Sequence, residues 1–199
     1  MSEKAPLRQR IRHRRASLNT RVRRQAARAI AKRARTLRRF QRAHRVAAYI
    51  ARHGESDPQP LAQAALNLGK RVYLPVLHPF FHGRLKFCQL RANTILQANR
   101  FGIPEPIART ECLRDSRRLD LVLVPLVAFD SQGYRLGMGG GYYDRSFAYR
   151  HSSSRVRPLL IGLAYEFQLV DDLPHEAWDI RLDAVITERN IYRFNPVVA

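Results

Sequence analysis

The sequence predicts an α/β protein, a single three-layer domain over residues 1–199, Rossmann-like, with a mostly parallel central sheet. Two basic helices within about residues 1–40 precede the sheet and pack on it. Three observations carry this expectation. The runs Leu121-Val122-Leu123-Val124 and Leu159-Leu160-Ile161-Gly162-Leu163-Ala164 are apolar without alternation, as in strands buried on both faces. Strand-like runs at 45–50 and 70–77 enclose about a dozen residues of helical character, the spacing of a βαβ unit. Apolar residues before position 40 recur at helical intervals between arginines.

In chain order, residues 4–17 place Leu7, Ile11 and then Leu18 at helical spacing, with arginines on the other, solvated faces. Asn19 or Thr20 caps a second helix over about 21–39, with Val22, Ala26, Ala29, Ile30 and Leu37 on one stripe. Arg45–Ile50 reads as the first strand, and the turn His53–Pro58 leads into a helix at 59–68 that Gly69 closes. Lys70–Leu77 is a second strand and Arg84–Leu90 a short third one. Phe101–Pro106 is a stiff extended loop, because each proline restricts itself and its predecessor. The central strand at 120–124 stops at Pro125, which has no N–H to give a ladder. Ser152-Ser153-Ser154 marks a surface break, 159–164 a buried strand, and 184–187 a last strand preceded by Asp183. Tyr73, Phe80, Phe81 and Phe87 are expected in the core.

Composition excludes several classes. No apolar run approaches the ~20 residues that span a bilayer. The arginine-rich start is not followed by the apolar segment of a signal peptide. Two cysteines, Cys88 and Cys112, argue against a disulfide framework and fit a reducing cytosol, both being structural. The formal charge of +20 is local: residues 1–45 hold 17 of the 36 Lys and Arg but one of the 16 acidic residues, Glu3. Such a segment suits a nucleic-acid surface or the steering of a small polyanion equally well.

The most informative stretch is Arg135-Leu136-Gly137-Met138-Gly139-Gly140-Gly141-Tyr142-Tyr143-Asp144-Arg145. Four glycines in five positions sacrifice backbone entropy and side-chain burial, which makes sense where a ligand approaches the backbone closely. Amides leading into a helix start attract phosphate, Arg135 and Arg145 add positive charge, and Asp144 offers a metal ligand. A Walker A loop would end in Gly-Lys-Ser/Thr, and a dinucleotide fingerprint needs a third glycine where Tyr142 stands. Asp183 is a second candidate carboxylate for Mg²⁺, which takes one or two carboxylates with phosphate oxygens and water. His78 and His82 have ligand-like spacing but no second pair, so zinc is not expected. No Gly-x-Ser-x-Gly elbow supports acyl catalysis.

RLGMGGGYYDR, preceded by LVPLVAFD, resembles the signature of the 5-formyltetrahydrofolate cyclo-ligase family. The resemblance extends over nearly the whole chain, through Lys4, Leu7 and Arg8, Gly54-Glu55, Gly69 to Pro75, Ile103 to Pro106, and Asp183 to Thr187. Pro58 departs from it, standing where the family often has Thr. The resemblance implies use of ATP and Mg²⁺ to convert 5-formyltetrahydrofolate, monoglutamyl or polyglutamylated, to 5,10-methenyltetrahydrofolate with release of ADP and phosphate. It implies that Lys4 and Arg8 contact ATP phosphates and that Arg135, Leu136, Gly137, Met138, Gly139, Gly140, Gly141, Tyr142 and Tyr143 wrap the triphosphate. Asp144 and Asp183 would hold the metal. Glu55, Tyr142 and Glu105 would meet the folate, and Arg135, Tyr142 and Arg145 would act in the chemistry. A cytoplasmic monomer without membrane or nucleic-acid partner follows from the same reading. The alternatives are a basic nucleic-acid-binding protein and another ATP- or phosphosugar-using enzyme on the same framework.

Overall fold

Two helices open the chain. In this computed structural model, which describes residues 4–107, 111–113, 115–152 and 157–194, α1 covers Lys4–Ser17 and α2 Thr20–Ala34. The Asn19 side chain accepts the Val22 amide at 2.9 Å, as an N-cap asparagine should. The helix expected to continue to 39 ends earlier. The Thr36 hydroxyl donates back to the Arg33 carbonyl at 2.8 Å, Leu37 is extended, and a separate helix α3 (Arg38–Arg42) follows. Ala26, Ala27, Ile30, Ala31 and Ala34 are the buried stripe of α2, while Val22 lies outside it, exposed.

The predicted βαβ unit is present as β1 (Arg45–Ala47), α4 (Gln59–Asn67) and β2 (Arg71–Leu77), with Val46 paired to Val72 in parallel. Gly69, at φ 71°, takes the left-handed turn that ends α4. β3 (Leu85–Gln89) returns antiparallel to β2. The expected loop at 101–106 contributes to a small ribbon instead, β4 (Leu96–Ala98) against β5 (Pro104–Pro106). Its flanking bonds fall on Ile103 and Ile107, so both prolines turn their missing N–H outward. β6 (Leu121–Pro125) ends on Pro125, which still stands opposite Leu163 at the last rung. A hairpin follows, β7 (Ala128–Phe129) with β8 (Arg135–Leu136), and then α5 (Tyr142–Phe147). β9 (Leu159–Leu163), β10 (Ala184–Ile186) and β11 (Ile191–Arg193) complete the strands. Ser152 closes a 3-10 turn, and Ser153 and Ser154 lie outside the described residues.

Seven strands form the main sheet in the order β11-β10-β9-β6-β1-β2-β3. The contacts from β10 through β9, β6 and β1 to β2 are parallel, and both edge strands are antiparallel. The chain builds the sheet one way from β1 to β2 and the other way from β6 through β9 to β10. Winding therefore reverses between β1 and β6, and the crevice beyond their carboxyl ends is the natural ligand position of such a sheet.

Helices cover both faces. Ile30, Leu37, Phe40 and Leu61, from α2, α3 and α4 and their junctions, pack on Val46, Leu121, Leu123 and Ile161. On the other face Phe147 of α5 packs with Phe87, Val122, Val124 and Leu160. Ile11 of α1 joins neither layer; it packs with Val127, Ala128, Leu136 and Leu173, just past the end of β6. α1 thus lies across the carboxyl edge where the crevice opens.

Two expectations are corrected here. Phe80 and Phe81 are 82% and 58% exposed, in the turn between β2 and β3, while Tyr73 and Phe87 are buried as expected. Cys88 and Cys112 are joined as a disulfide, because residue 112 bridges to β3 directly opposite Cys88. The cysteine count therefore gives no support to a reducing compartment.

Candidate active site

The glycine-rich loop leaves β8 and enters α5 beside the crevice. Gly139 and Gly141 have φ of 98° and 61°, the left-handed region open to glycine. Gly137 is different: its φ is not positive and a Cβ there would meet nothing within 4 Å. Neither strain nor packing requires glycine at 137, so the open space beside it is room that the fold itself leaves unused. α5 is only 6 residues long, so its dipole adds little. The positive charge around the loop comes from side chains.

Those side chains are tied to the loop's own backbone. Arg8 Nε of α1 donates to the Gly137 carbonyl at 2.8 Å, and Arg145 Nη2 donates to the Gly140 carbonyl. Arg145 Nε also donates to the Gly83 carbonyl at 3.1 Å, linking the loop to the β2–β3 turn. Arg135, its side chain 6% exposed, donates to the Ile180 carbonyl and to Asp144 Oδ1, the latter at 2.7 Å. The Ile180 amide donates to the same Asp144 oxygen at 3.1 Å. Asp144 Oδ2 accepts no bond among the described residues. Lys4 stands 3.8 Å from Asp179, one residue before Ile180. Leu136 is buried and Met138 exposed, so each shapes the loop rather than presenting a polar group.

Tyr142 begins α5 and faces a cleft of about 240 Å³ lined by Leu77, His82, Asn99, Arg100 and Glu105, among others. Its hydroxyl accepts from Arg100 Nη2 at 2.7 Å, and the edge of Phe101 meets its ring. Glu105 Oε2 accepts the Leu77 amide at 3.1 Å and Asn99 Nδ2 at 3.0 Å, which pins β5 to the end of β2. Tyr143, one residue on, is packed against the core, and burial pushes its phenol well above the ordinary value.

Glu55 sits in the loop after β1. Burial raises its carboxyl pKa, opposed by the Arg52 amide, which donates to Oε2 at 3.0 Å, and by the charges of Arg15 and His53. The Tyr165 hydroxyl lies 3.5 Å from the Glu55 carbonyl, and the buried Tyr49 hydroxyl donates to the Ser56 carbonyl. These contacts fix the loop at the mouth of the crevice.

Arg8, Arg135, Asp144 and Arg145 are therefore brought together around residues 137–141, with Tyr142 opening toward Glu105. Asp183 is not among them. It is 3% exposed and lies where β9 and β10 begin, the opposite edge of the sheet. Both its oxygens accept from Arg150 Nη2, at 2.8 and 2.9 Å, and Oδ2 also accepts the Leu160 amide at 2.7 Å. Of the two carboxylates expected to hold the metal, Asp144 borders the glycine loop, while Asp183 is engaged by Arg150. Among the described residues no three His, Cys, Asp or Glu side chains converge as a metal site. A Mg²⁺ ion held by Asp144 Oδ2, phosphate oxygens and water needs no such cluster.

Sequence reasoning missed Arg15, Asn99, Arg100 and Ile180. Arg15 left a signal: it falls four residues after Ile11 and eight after Leu7, on the apolar stripe rather than the solvated face. Ile180 acts through its backbone, so no side-chain pattern announces it.

The sequence profile of the 5-formyltetrahydrofolate cyclo-ligase family matches residues 1–188. The chain belongs to this family. The 5-formyltetrahydrofolate cyclo-ligase of Escherichia coli K12 is 44% identical over 153 residues, 76% of this chain and 82% of that protein. Its counterpart from Haemophilus influenzae is 39% identical over 176 residues, 88% of this chain and 92% of that one. Among solved structures, 5,10-methenyltetrahydrofolate synthetase of Aquifex aeolicus aligns with a TM-score of 0.80 at 34% identity, over 96% of this chain and 92% of that chain. The cyclo-ligase framework thus accounts for the order of the sheet, the crossing of α1 and the position of the glycine loop. Pro58, the departure from the family pattern, is accommodated as the residue at the start of α4, with φ −77° and ψ −8°.

Proposed function

We propose that this chain is an ATP-dependent 5-formyltetrahydrofolate cyclo-ligase that forms 5,10-methenyltetrahydrofolate, ADP and phosphate. The carrying observation is the loop at 137–141. Its backbone is held open by Arg8 and Arg145 and flanked by Arg135 and Asp144, with space beside Gly137 that packing does not use. The triphosphate lies against this loop and the folate enters the cleft at Tyr142, with Glu55 and Glu105 toward its ring.

In the reaction the formyl oxygen attacks the γ-phosphorus, and the bond to ADP breaks. The formyl carbon, now carrying a phosphoryl-oxygen leaving group, is attacked by the neighbouring N10. N10 loses its proton, the carbon–oxygen bond breaks, and phosphate departs with the former formyl oxygen. No protein nucleophile is needed. The protein positions the reacting groups and neutralises charge developing on the phosphoryl oxygens. Arg8, Arg135 and Arg145 supply that charge, and Tyr142 closes the cleft beside Arg100. Mg²⁺ would be held by Asp144 and, when bound, would neutralise phosphate oxygens during transfer.

No helix among the described residues is long and apolar enough to cross a membrane. We further propose that the protein acts as a single-domain monomer in the cytoplasm, where reduced folates and ATP meet.

The test is the absorbance of the methenyl product in a mixture of protein, 5-formyltetrahydrofolate, ATP and Mg²⁺. An ATP-dependent rise is expected. A folded, ATP-binding protein that gives none would return the loop to the wider class of phosphate sites.

A further inference from the structure

The crevice at which sheet winding reverses is not empty of protein: a charge is buried in it. Arg15 of α1 is 0% exposed, although the eleven other Lys and Arg side chains in α1 and α2 lie at least partly at the surface. Its Nη1 donates at 3.2 Å to the carbonyl of Leu126, the residue directly after β6. Nε and Nη2 are buried and have no hydrogen-bond partner among the described residues. An arginine does not shed its proton, so a guanidinium with two unmet donors is retained against both desolvation and lost hydrogen bonding. Packing does not explain it, because an apolar chain of the same length would fill the same space.

What faces this charge is the loop after β1. A Cβ on Gly54 would stand 2.9 Å from the Arg15 carbonyl oxygen, so the Glu55 loop is pressed against the turn of α1 that carries Arg15. The Glu55 carboxylate is the foremost opposite charge acting on Arg15, and Arg15 is the foremost cationic side chain acting on Glu55. The other groups around them are few. His53 adds a weaker positive influence on Glu55, and Arg12 lies beside Arg15 on α1. Tyr49, Tyr143 and Tyr165 approach from the β1 loop, α5 and the end of β9, with Asp57 acting on Tyr49 and Tyr165, and Arg23 on Tyr165. Burial pushes all three phenols up, so they stay uncharged near neutrality.

We propose that Arg15 is a positioning residue for the substrate-binding carboxylate of Glu55, holding it ionised at the mouth of the crevice between β1 and β6. This rests on the reading of Glu55 as a folate contact. An ionised carboxylate only accepts hydrogen bonds. It therefore selects a ring edge with two adjacent N–H donors, as on a 2-amino-4-oxopyrimidine, and rejects an edge that presents an acceptor there. Arg15 would set specificity through Glu55 without touching the substrate.

The experiment compares wild type, Arg15→Met and Arg15→Lys in the KM for 5-formyltetrahydrofolate between pH 5 and 9 at saturating ATP and Mg²⁺. Substrate ionisation is common to all three and cancels. In Arg15→Met the acid-side rise in KM is expected to move up by about one pH unit or more, the scale of losing one nearby opposite charge, with kcat changed little. Arg15→Lys should stay near wild type. The Met variant should melt no lower than wild type, since the Leu126 carbonyl keeps its bond from Gln168 Nε2 at 3.1 Å. An unchanged pH inflection in Arg15→Met would overturn the proposal. If Arg15→Met does not fold, Arg15→Gln serves in the same comparison, and a wild-type inflection there overturns it equally. Titrating the Glu55 carboxyl by ¹³C NMR in wild type and variant separates the two readings. If Glu55→Gln leaves the folate KM unaltered, the folate contact fails, while an upward Glu55 shift in the Arg15 variant still shows the coupling.

Discussion

Arg135 and Asp144, nine positions apart in sequence and 2.7 Å apart in space, close the glycine loop at its base. Arg135 leaves β8 before the glycines and Asp144 stands one turn into α5 after them. The bond between them, together with the Ile180 amide on the same oxygen, fixes both ends of the loop. It also leaves Asp144 Oδ2 without a hydrogen bond among the described residues, the oxygen that the proposed function gives to the metal.

From this geometry, Asp144→Asn should lower kcat by about 100-fold or more, on the scale of removing one electrostatic contact to the reacting group. The asparagine can still accept from Arg135 and Ile180, so the melting midpoint should move little. Half-maximal rate should require more Mg²⁺ than in wild type. A variant with unaltered Mg²⁺ dependence would remove Asp144 from the metal site.

Gly137 and Gly139 give opposite expectations for the same substitution. Gly137→Ala meets no atom within 4 Å and no strained φ, so stability should change by less than about 0.5 kcal/mol. The new methyl group would occupy the space beside the loop, and the KM for ATP should rise by about tenfold, equivalent to about 1.4 kcal/mol of binding. Gly139→Ala, at φ 98°, should cost about 1–3 kcal/mol of stability first. Equal ATP affinity in wild type and Gly137→Ala would move the nucleotide away from this loop.

Glu166 makes a pH-dependent tie between the end of β9 and the β10–β11 turn. Burial alone would raise its carboxyl, but hydrogen bonds from Thr187, Tyr192 and Asn190 prevail and hold it below the ordinary value of 4.5. A depressed folded pKa contributes stability above the ordinary carboxylate range, and this is lost as pH falls through the folded value. Glu166→Gln should therefore be less stable than wild type by about 1–2 kcal/mol at pH 7, the scale of losing charge-assisted bonds. The gap should narrow toward pH 3 in urea unfolding. A gap of the same size at both pH values would show that shape rather than charge makes the tie.

Much of this architecture was legible because strand burial and capping are local signals. Leu121–Val124 and Leu159–Leu163 have no polar residue to turn outward, and Asn19 announces its helix by its own side chain. The glycine loop was legible for the same reason, since four glycines near one aspartate need an explanation that local packing does not offer. What escaped depends on tertiary placement. The hairpin of β7 and β8 is two residues per strand, too short for a period to show. Asp183 has the local context of a ligand, and its pairing with Arg150, which arrives from beyond α5, could not be read from the sequence. Cys88 and Cys112 become partners because residue 112 lies against edge strand β3, which a separation of 24 positions in sequence does not reveal. Arg15 was hidden by its neighbours, one arginine in a segment where most are solvated.

The placement of α1 across the carboxyl edge ties its first turns to the glycine loop, so that under the proposed function they belong to the nucleotide site. Arg8 reaches Gly137 across 129 positions of sequence, and its bond is the direct link from α1 to the loop backbone. Ile11, one turn later, anchors the helix among Val127, Ala128 and Leu136, so the reach of Arg8 is set by packing. Arg8→Ala should leave the Ile11 anchor and the melting midpoint nearly intact while raising the KM for ATP by about 10- to 100-fold, on the scale of one hydrogen bond to a charged group. Arg8→Lys should recover only part of this, because an ammonium lacks the planar fork that bonds a carbonyl and a phosphate together. If the helix served as a nonspecific polyanion surface instead, Arg8→Ala would weaken binding of a short duplex DNA and leave ATP kinetics alone. Measured side by side at 50 and 200 mM salt, the two variants decide which role the first helix has.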